Sequence, residues 1–162
     1  MTRERRYWLF KSEPSCFSFD DLEKRPEGTE HWDGVRNFQA RNFLRDEVKP
    51  GDSVLFYHSN IARPAIVGTA EVVRGGYPDW TALDPENEHF DPRSTRDAPI
   101  WFMVDVRFGR RFRREVSLEE IKGHPALSGM ELVRRSRLSI QPVSENEWDA
   151  ILRLGGIEEP ME

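Results

Sequence analysis

Ile100-Trp101-Phe102-Met103-Val104-Asp105-Val106-Arg107-Phe108 is the stretch on which the fold turns. Ile100, Phe102, Val104, Val106 and Phe108 recur at every second position, with Trp101, Met103, Asp105 and Arg107 between them. That period is a strand's. Outward from it the signal repeats. Tyr7 to Lys11 and Ser53 to His58 read as strands. Ala65 to Val73 alternates, with Ile66, Gly68, Ala70 and Val72 on one face. Leu138 to Val143 reads as a last strand, and Pro142 places it at an edge. Helices are short and lie between. Ser18-Phe19-Asp20-Asp21 starts one through Lys24, Ser117-Leu118-Glu119-Glu120 starts another, and Ser144-Glu145-Asn146-Glu147 caps a third through Leu154, stopped by Gly155-Gly156. A further helix is expected from Asn37 to about Asp46, with Phe38 and Phe43 on or near its buried face. From Arg74 to Pro99 the periodicity fails, and a long loop is expected. Strands that pair non-locally, with short peripheral helices, predict a small α+β barrel.

The chain has 162 residues, 37% of them hydrophobic and 33% charged, which fits one globular domain with a real core. No apolar run is long enough to span a bilayer, so no membrane association is expected. The basic start, Met1 to Arg6, leads into a strand without an apolar signal region. A single cysteine, Cys16, excludes an intrachain disulfide framework and predicts a reducing, cytoplasmic setting. His31, His58, His89 and His124 are scattered, so a His-based metal site is not expected. The net charge of −5 argues against strong non-specific binding to phosphate backbones. The charges are nevertheless uneven: Arg107, Arg110, Arg111, Arg113 and Arg114 crowd one stretch, Arg134, Arg135 and Arg137 another, and acids cluster at Glu145, Glu147, Asp149, Glu158 and Glu159. The tail from Ile157 to Glu162 is expected to be loose.

Signatures of enzymes are sparse. There is no nucleophile elbow, phosphate loop or dinucleotide fingerprint. Polar groups instead gather at element ends: Lys11-Ser12-Glu13-Pro14, Tyr57-His58-Ser59-Asn60 and Arg137-Leu138-Ser139. Taken singly, each is ordinary turn chemistry. Taken together, at the strand ends of one barrel, they suit a shared pocket. Trp32-Asp33-Gly34-Val35-Arg36-Asn37 adds an aromatic face beside donors and acceptors, the equipment for a flat, polar ligand such as a nucleobase. Two readings of Trp32 stand at this point: a core tryptophan before a capped helix, or the floor of that pocket.

Several of these blocks, in this order, resemble the EVE domain family. They are Tyr7 to Pro14, Trp32 to Asn42, Phe56-Tyr57-His58-Ser59, Tyr77-Pro78-Asp79, Trp101 to Val106 and Ser136 to Val143. The resemblance covers about Tyr7 to Gly156, so the chain is read as a single EVE domain over 1–162 with its core at 7–156. It implies a PUA-like fold, a small mixed β-barrel with flanking short helices, similar in architecture to PUA, ASCH and YTH domains. It also implies a pocket for modified nucleobases, modified cytosine in DNA before modified RNA bases, without cofactor or metal. Trp32 would be the pocket aromatic. Ser12, Glu13, Arg36, Asn37, His58, Ser59, Asn60, Arg137 and Ser139 would be its polar lining, and Tyr57 would line it from the same block. Phe38 stands where the family often has tyrosine, and His89-Phe90 where it often has two.

The expectation is therefore a non-catalytic module whose partner is nucleic acid carrying a modified base, with no protein partner indicated. The alternative is an enzyme of nucleotide or RNA metabolism on an ASCH-like barrel, with Glu13 or His58 as acid or base. A scaffold that binds protein through the Arg74–Pro99 loop ranks third.

Overall fold

The computed structural model describes residues 4–135 and 137–157; the expectations placed on Met1 to Arg3, on Ser136 and on the tail beyond Ile157 lie outside the described residues. Six strands carry the fold: β1 (Tyr7–Ser12), β2 (Thr29–His31), β3 (Ser53–His58), β4 (Ala65–Pro78), β5 (Phe102–Ser117) and β6 (Ile140–Val143). Five short helices accompany them: α1 (Phe19–Lys24), α2 (Phe38–Asn42), α3 (Leu118–Lys122), α4 (Glu131–Arg134) and α5 (Glu145–Leu154). The strands form one mixed sheet in the order β2-β5-β4-β3-β1-β6. β1 runs parallel to β3, and every other pairing is antiparallel.

Both faces of this sheet are buried, which period two makes possible. Along β1, Trp8 and Phe10 enter one apolar cluster and Leu9 the other; along β3, Val54 and Phe56 enter the first, Leu55 and Tyr57 the second. The first cluster also takes Val104 and Val106 of β5 and is capped by Phe19 and Leu22 of α1. The second lies under Ile121 of α3, Leu132 of α4 and Trp148, Ile151 and Leu152 of α5. Helix starts follow the sequence: Ser18 and Ser144 form capping boxes with Asp21 and Glu147, and Ser117 accepts from the Glu120 N–H. A buried carboxylate, Asp52, ties the β1 entrance to the turn before β3. It accepts from Trp8 Nε1 at 2.9 Å, the Arg6 N–H at 3.1 Å and the Lys49 N–H at 3.0 Å.

Four expectations need correction. The alternation read into 65–73 is broken. Ile66 faces the second cluster while Val67, Ala70 and Val72 face the first. One extra residue in β4 accounts for it: Phe56 of β3 pairs with Gly68 but the next residue, Tyr57, pairs with Ile66, so Val67 bulges, and a bulge reverses the facing of the residues beyond it. Gly68 sits at that kink, where a Cβ would collide with the Phe19 ring and the Arg110 carbonyl oxygen. Second, the irregular segment begins at Asp79, not Arg74, since β4 runs on to Pro78 through further bulges. Third, β5 continues well past Phe108 to Ser117, with arginines on its exposed positions. Fourth, Phe38 is 53% exposed, stacked on Trp101 at 4.9 Å, and the helix that carries it gives way to a π turn over Phe43–Glu47.

The two edge strands are β2 and β6, with no ladder between them among the described residues. They nevertheless approach. Phe10 and Trp32 have ring centroids 5.3 Å apart, so the residue after β2 packs on the strand next to β6. The sheet is thus curled into a barrel with a seam.

Candidate functional site

A cavity of about 500 Å³ opens at that seam. One wall is the end of β1 and the turn after it: Lys11, Ser12, Glu13, Cys16 and Phe17. Ser139, just before β6, stands beside it, and its carbonyl accepts from the Lys11 N–H at 3.0 Å. The opposite wall is β2 and the segment it releases, Glu30 to Arg36, and the third is Glu88-His89 of the long loop.

Trp32 is the floor. It is 7% exposed and packs at 5.3 Å on Phe10, 6.1 Å on Phe17 and 5.4 Å on Phe56. Its N–H donates to the Val104 carbonyl at 2.7 Å, which continues the β2–β5 pairing by one residue. Trp32 is therefore a core tryptophan that also lines the cavity.

The walls are rich in acceptors. Ser12 Oγ donates to the Phe17 carbonyl at 2.5 Å, so its proton points inward and its lone pairs remain for the cavity. Asp33 lies between two imidazoles, with Oδ2 3.9 Å from His31 Nε2 and 3.4 Å from His89 Nδ1. Glu30 meets His31 Nδ1 at 3.3 Å and accepts from Arg25 Nε at 2.9 Å. His89 Nδ1 is buried without a hydrogen-bond partner among the described residues. Burial lowers the pKa of Lys11, the cation on the β1 wall.

Arg36 acts as a brace. Its guanidinium donates to Asp79 Oδ2 and the Val35 carbonyl, both at 3.0 Å, and to the His89 carbonyl at 2.6 Å. Asp79 also accepts from the Gly34 N–H at 3.0 Å and from the Thr81 N–H at 2.8 Å. Burial alone would raise this carboxyl; the hydrogen bonds from Thr81, Gly34 and Arg36 outweigh it and hold the group below the usual carboxylate range. Gly34, at φ +80°, lets the chain turn against the His89 ring, where a Cβ would sit 2.7 Å away. Farther along, Asp91 accepts from Trp101 Nε1 at 2.7 Å, and bonds from Arg93 and then Trp101 hold its carboxyl well below the usual range. The long loop is therefore pinned at Asp79 and Asp91.

Of the expected site residues, the structure brings Ser12, Glu13, Trp32, Arg36 and Ser139 to one cavity. Six others are not on its lining. Tyr57 faces the second cluster, because Phe56 before it faces Trp32 and period two turns Tyr57 away; burial pushes its hydroxyl up to about 12. His58 returns to the first side, but its Nε2 accepts from the Phe19 N–H at 3.1 Å, and burial, with Arg111, lowers its pKa against the pull of Glu115 and Asp20. The acid–base role considered for His58 thus lacks a place at the cavity. The Ser59 N–H donates to the Ser12 carbonyl at 2.9 Å, and Asn60 turns the chain at φ 58° on the exposed β3–β4 connection. Asn37 caps α2 by accepting from the Ala40 N–H at 2.9 Å, and with Arg137 it lines a separate, shallow groove. Glu30, His31, Glu88 and His89 line the cavity although sequence reasoning did not place them there, and Lys11 and Asp33, which stand in the blocks read as suiting a pocket, line it too. Asp33 stands inside the tryptophan block, and only the curl of the sheet reveals that Glu30, His31 and the loop residues converge beside it.

A mixed, curled sheet with short flanking helices and a cavity at its seam is a PUA-like α+β domain. The chain belongs to the EVE domain family, whose model matches residues 6–154. It is 47% identical over 165 residues to thymocyte nuclear protein 1 of Mus musculus, covering 91% of this chain and 73% of that protein. A hypothetical protein from Leishmania major superposes with a TM-score of 0.89 at 49% identity, covering 94% of this chain and 96% of that one. The human THYN1 protein, solved in complex with DNA containing 5-methylcytosine, gives a TM-score of 0.89 at 43% identity over 96% of this chain and 99% of that one.

Proposed function

We propose that this protein binds nucleic acid carrying a modified base and takes one base into the seam cavity. The observation that carries the reading is the cavity itself: an aromatic floor, Trp32, under walls of acceptors, in a volume that admits one base. The human relative solved with 5-methylcytosine DNA supports it. A base resting on an aromatic gains about 1–3 kcal/mol, and extrusion from a duplex costs a few kcal/mol. The walls must therefore supply the difference.

Their chemistry favours modified cytosine. Cytosine offers an amino donor at N4, and carboxylates are its natural acceptors. Glu13, Glu30 and Asp33 present such acceptors, and Ser12 adds a lone pair. A base with an acceptor at that position, such as thymine, would face like against like. The apolar surfaces of Trp32 and Phe17 can take a methyl group.

The test is a binding titration at stated salt. Single-stranded and duplex oligonucleotides would carry cytosine, 5-methylcytosine, thymine or N6-methyladenine at one position. Tighter binding of the 5-methylcytosine strand than of its cytosine twin is expected. Equal affinity for all four would overturn the reading.

A further inference from the structure

The border of the cavity formed by Arg36-Asn37 and Leu138-Ser139 opens on its other side into a groove of about 280 Å³, lined by Asn37, Gln39, Arg135, Arg137 and Leu138. The two depressions share two chain segments. Arg36 and Ser139 line the first, and their immediate neighbours Asn37 and Leu138 line the second. Adjacent Cα atoms are about 3.8 Å apart, so the groove begins within one nucleotide of the cavity mouth.

The charges around the cavity are lopsided. Arg135 and Arg137 are both exposed. Arg137 forms no ion pair with any described residue, and Arg135 meets Glu131 at 3.3 Å with half its side chain open to solvent. Away from this border, the cavity lining holds Glu13, Asp33 and Glu88 against Lys11, while the guanidinium of Arg25 is engaged by Glu30 and that of Arg36 by Asp79. A phosphodiester crossing that acidic lining meets like charge. Over the groove it meets two guanidiniums, whose planar forks suit phosphate oxygens.

We propose that this groove is a phosphodiester subsite, and that the strand leaves the cavity on this side alone. This rests on the reading that a base occupies the cavity. The subsite would position the strand without reading its sequence.

The full chain would be titrated with four-nucleotide single strands carrying 5-methylcytosine at the 5′ end, at the 3′ end, or internally, and with the phosphate-free 5-methylcytosine nucleoside. One end-placed strand should bind as tightly as the internal one, and the other more weakly. The double variant Arg135→Gln/Arg137→Gln should erase that difference and lower the slope of log affinity against log salt by about 2. It should leave the nucleoside affinity and the far-ultraviolet circular dichroism unchanged. Equal binding of the two end-placed strands, or an unchanged salt slope in the double variant, would overturn the subsite. If the nucleoside and all modified strands bind no better than unmodified ones, the cavity reading has failed. The groove is then judged on unmodified strands at low salt: weaker binding by the double variant supports it, and unchanged binding rejects it.

Discussion

Arginines crowd two regions of this molecule, and the two are held in opposite ways. On β5, Arg107 meets Glu71 at 2.8 Å, Arg111 meets Asp20 at 2.7 Å and Glu23 at 2.8 Å, and Arg114 meets Glu120 at 2.6 Å. These pairs are matched at the surface, so at Arg107, Arg111 and Arg114 the ridge that looked basic in the sequence carries its own counter-charges. Beside the cavity the balance differs. Arg36 is largely buried against a fully buried carboxylate, while Arg137 stands in the open without a described partner. A run of like residues says little about a surface until its counter-charges are located; burial and pairing decide which arginines brace the fold and which remain for a ligand.

The largest effect expected is on the cavity side. Trp32→Ala removes a ring in contact with Phe10, Phe17 and Phe56 and should cost about 3–5 kcal/mol of stability, the range for a large aromatic lost from a core. Thermal unfolding would show it as a fall in Tm. A melting temperature equal to the parent's would mean that the ring serves the cavity alone. Next comes Asp79→Ala, which leaves Arg36, the Gly34 N–H and Thr81 without their shared acceptor. About 3 kcal/mol is expected, near the lower end for breaking a buried pair because Arg36 is a quarter exposed. Denaturant melts would measure it, and a loss no larger than that for a ridge arginine would dissolve the contrast.

A smaller effect is pH-dependent. His58 has its pKa lowered in the folded state, and protonation would end the bond that Nε2 accepts from Phe19. The unfolded chain then takes up a proton near pH 6.5 that the folded chain still refuses. Stability from this group is complete above that pH and is lost as the pH falls through the folded value. Melting temperatures should decline between pH 7 and 5 in the parent and less in His58→Gln, whose amide oxygen can accept the same bond without titrating. Parallel profiles would exclude His58 as the cause. The smallest effect belongs to the ridge: Arg107→Gln should change stability by under about 1 kcal/mol and leave nucleic-acid affinity unaltered. A marked loss of binding would return the ridge to the interface.

The strands were legible because alternation survives in residues such as Trp8, Leu9 and Phe10, and the helix starts because Ser18, Ser117 and Ser144 carry their caps within the next three residues. The bulges of β4 were not legible: a register shift arises between strands, and Gly68 alone does not announce it. The same limit applied to the site. Ser12, Trp32 and Ser139 could be placed near one another from element ends, whereas Tyr57 and His58 were assigned to the pocket because they sit at the end of a strand. Which face that end presents depends on where Phe56 packs. Asp33 and His89 are brought together by the pinned loop, through an ionic brace between residues remote in sequence.

The seam has a consequence for how the protein is made. The cavity stands between β2, near the beginning of the chain, and Ser139 before β6, near its end, so its walls are completed only after most of the polypeptide has been synthesised. β1 can pair with β3 early, yet its other edge waits for β6. A ribosome-bound chain that has emerged only through β5 would carry Trp32 with the Ser139 side of the cavity missing. Closure of the cavity is thereby tied to synthesis through β6: a nascent chain that stops short of it lacks the Ser139 wall.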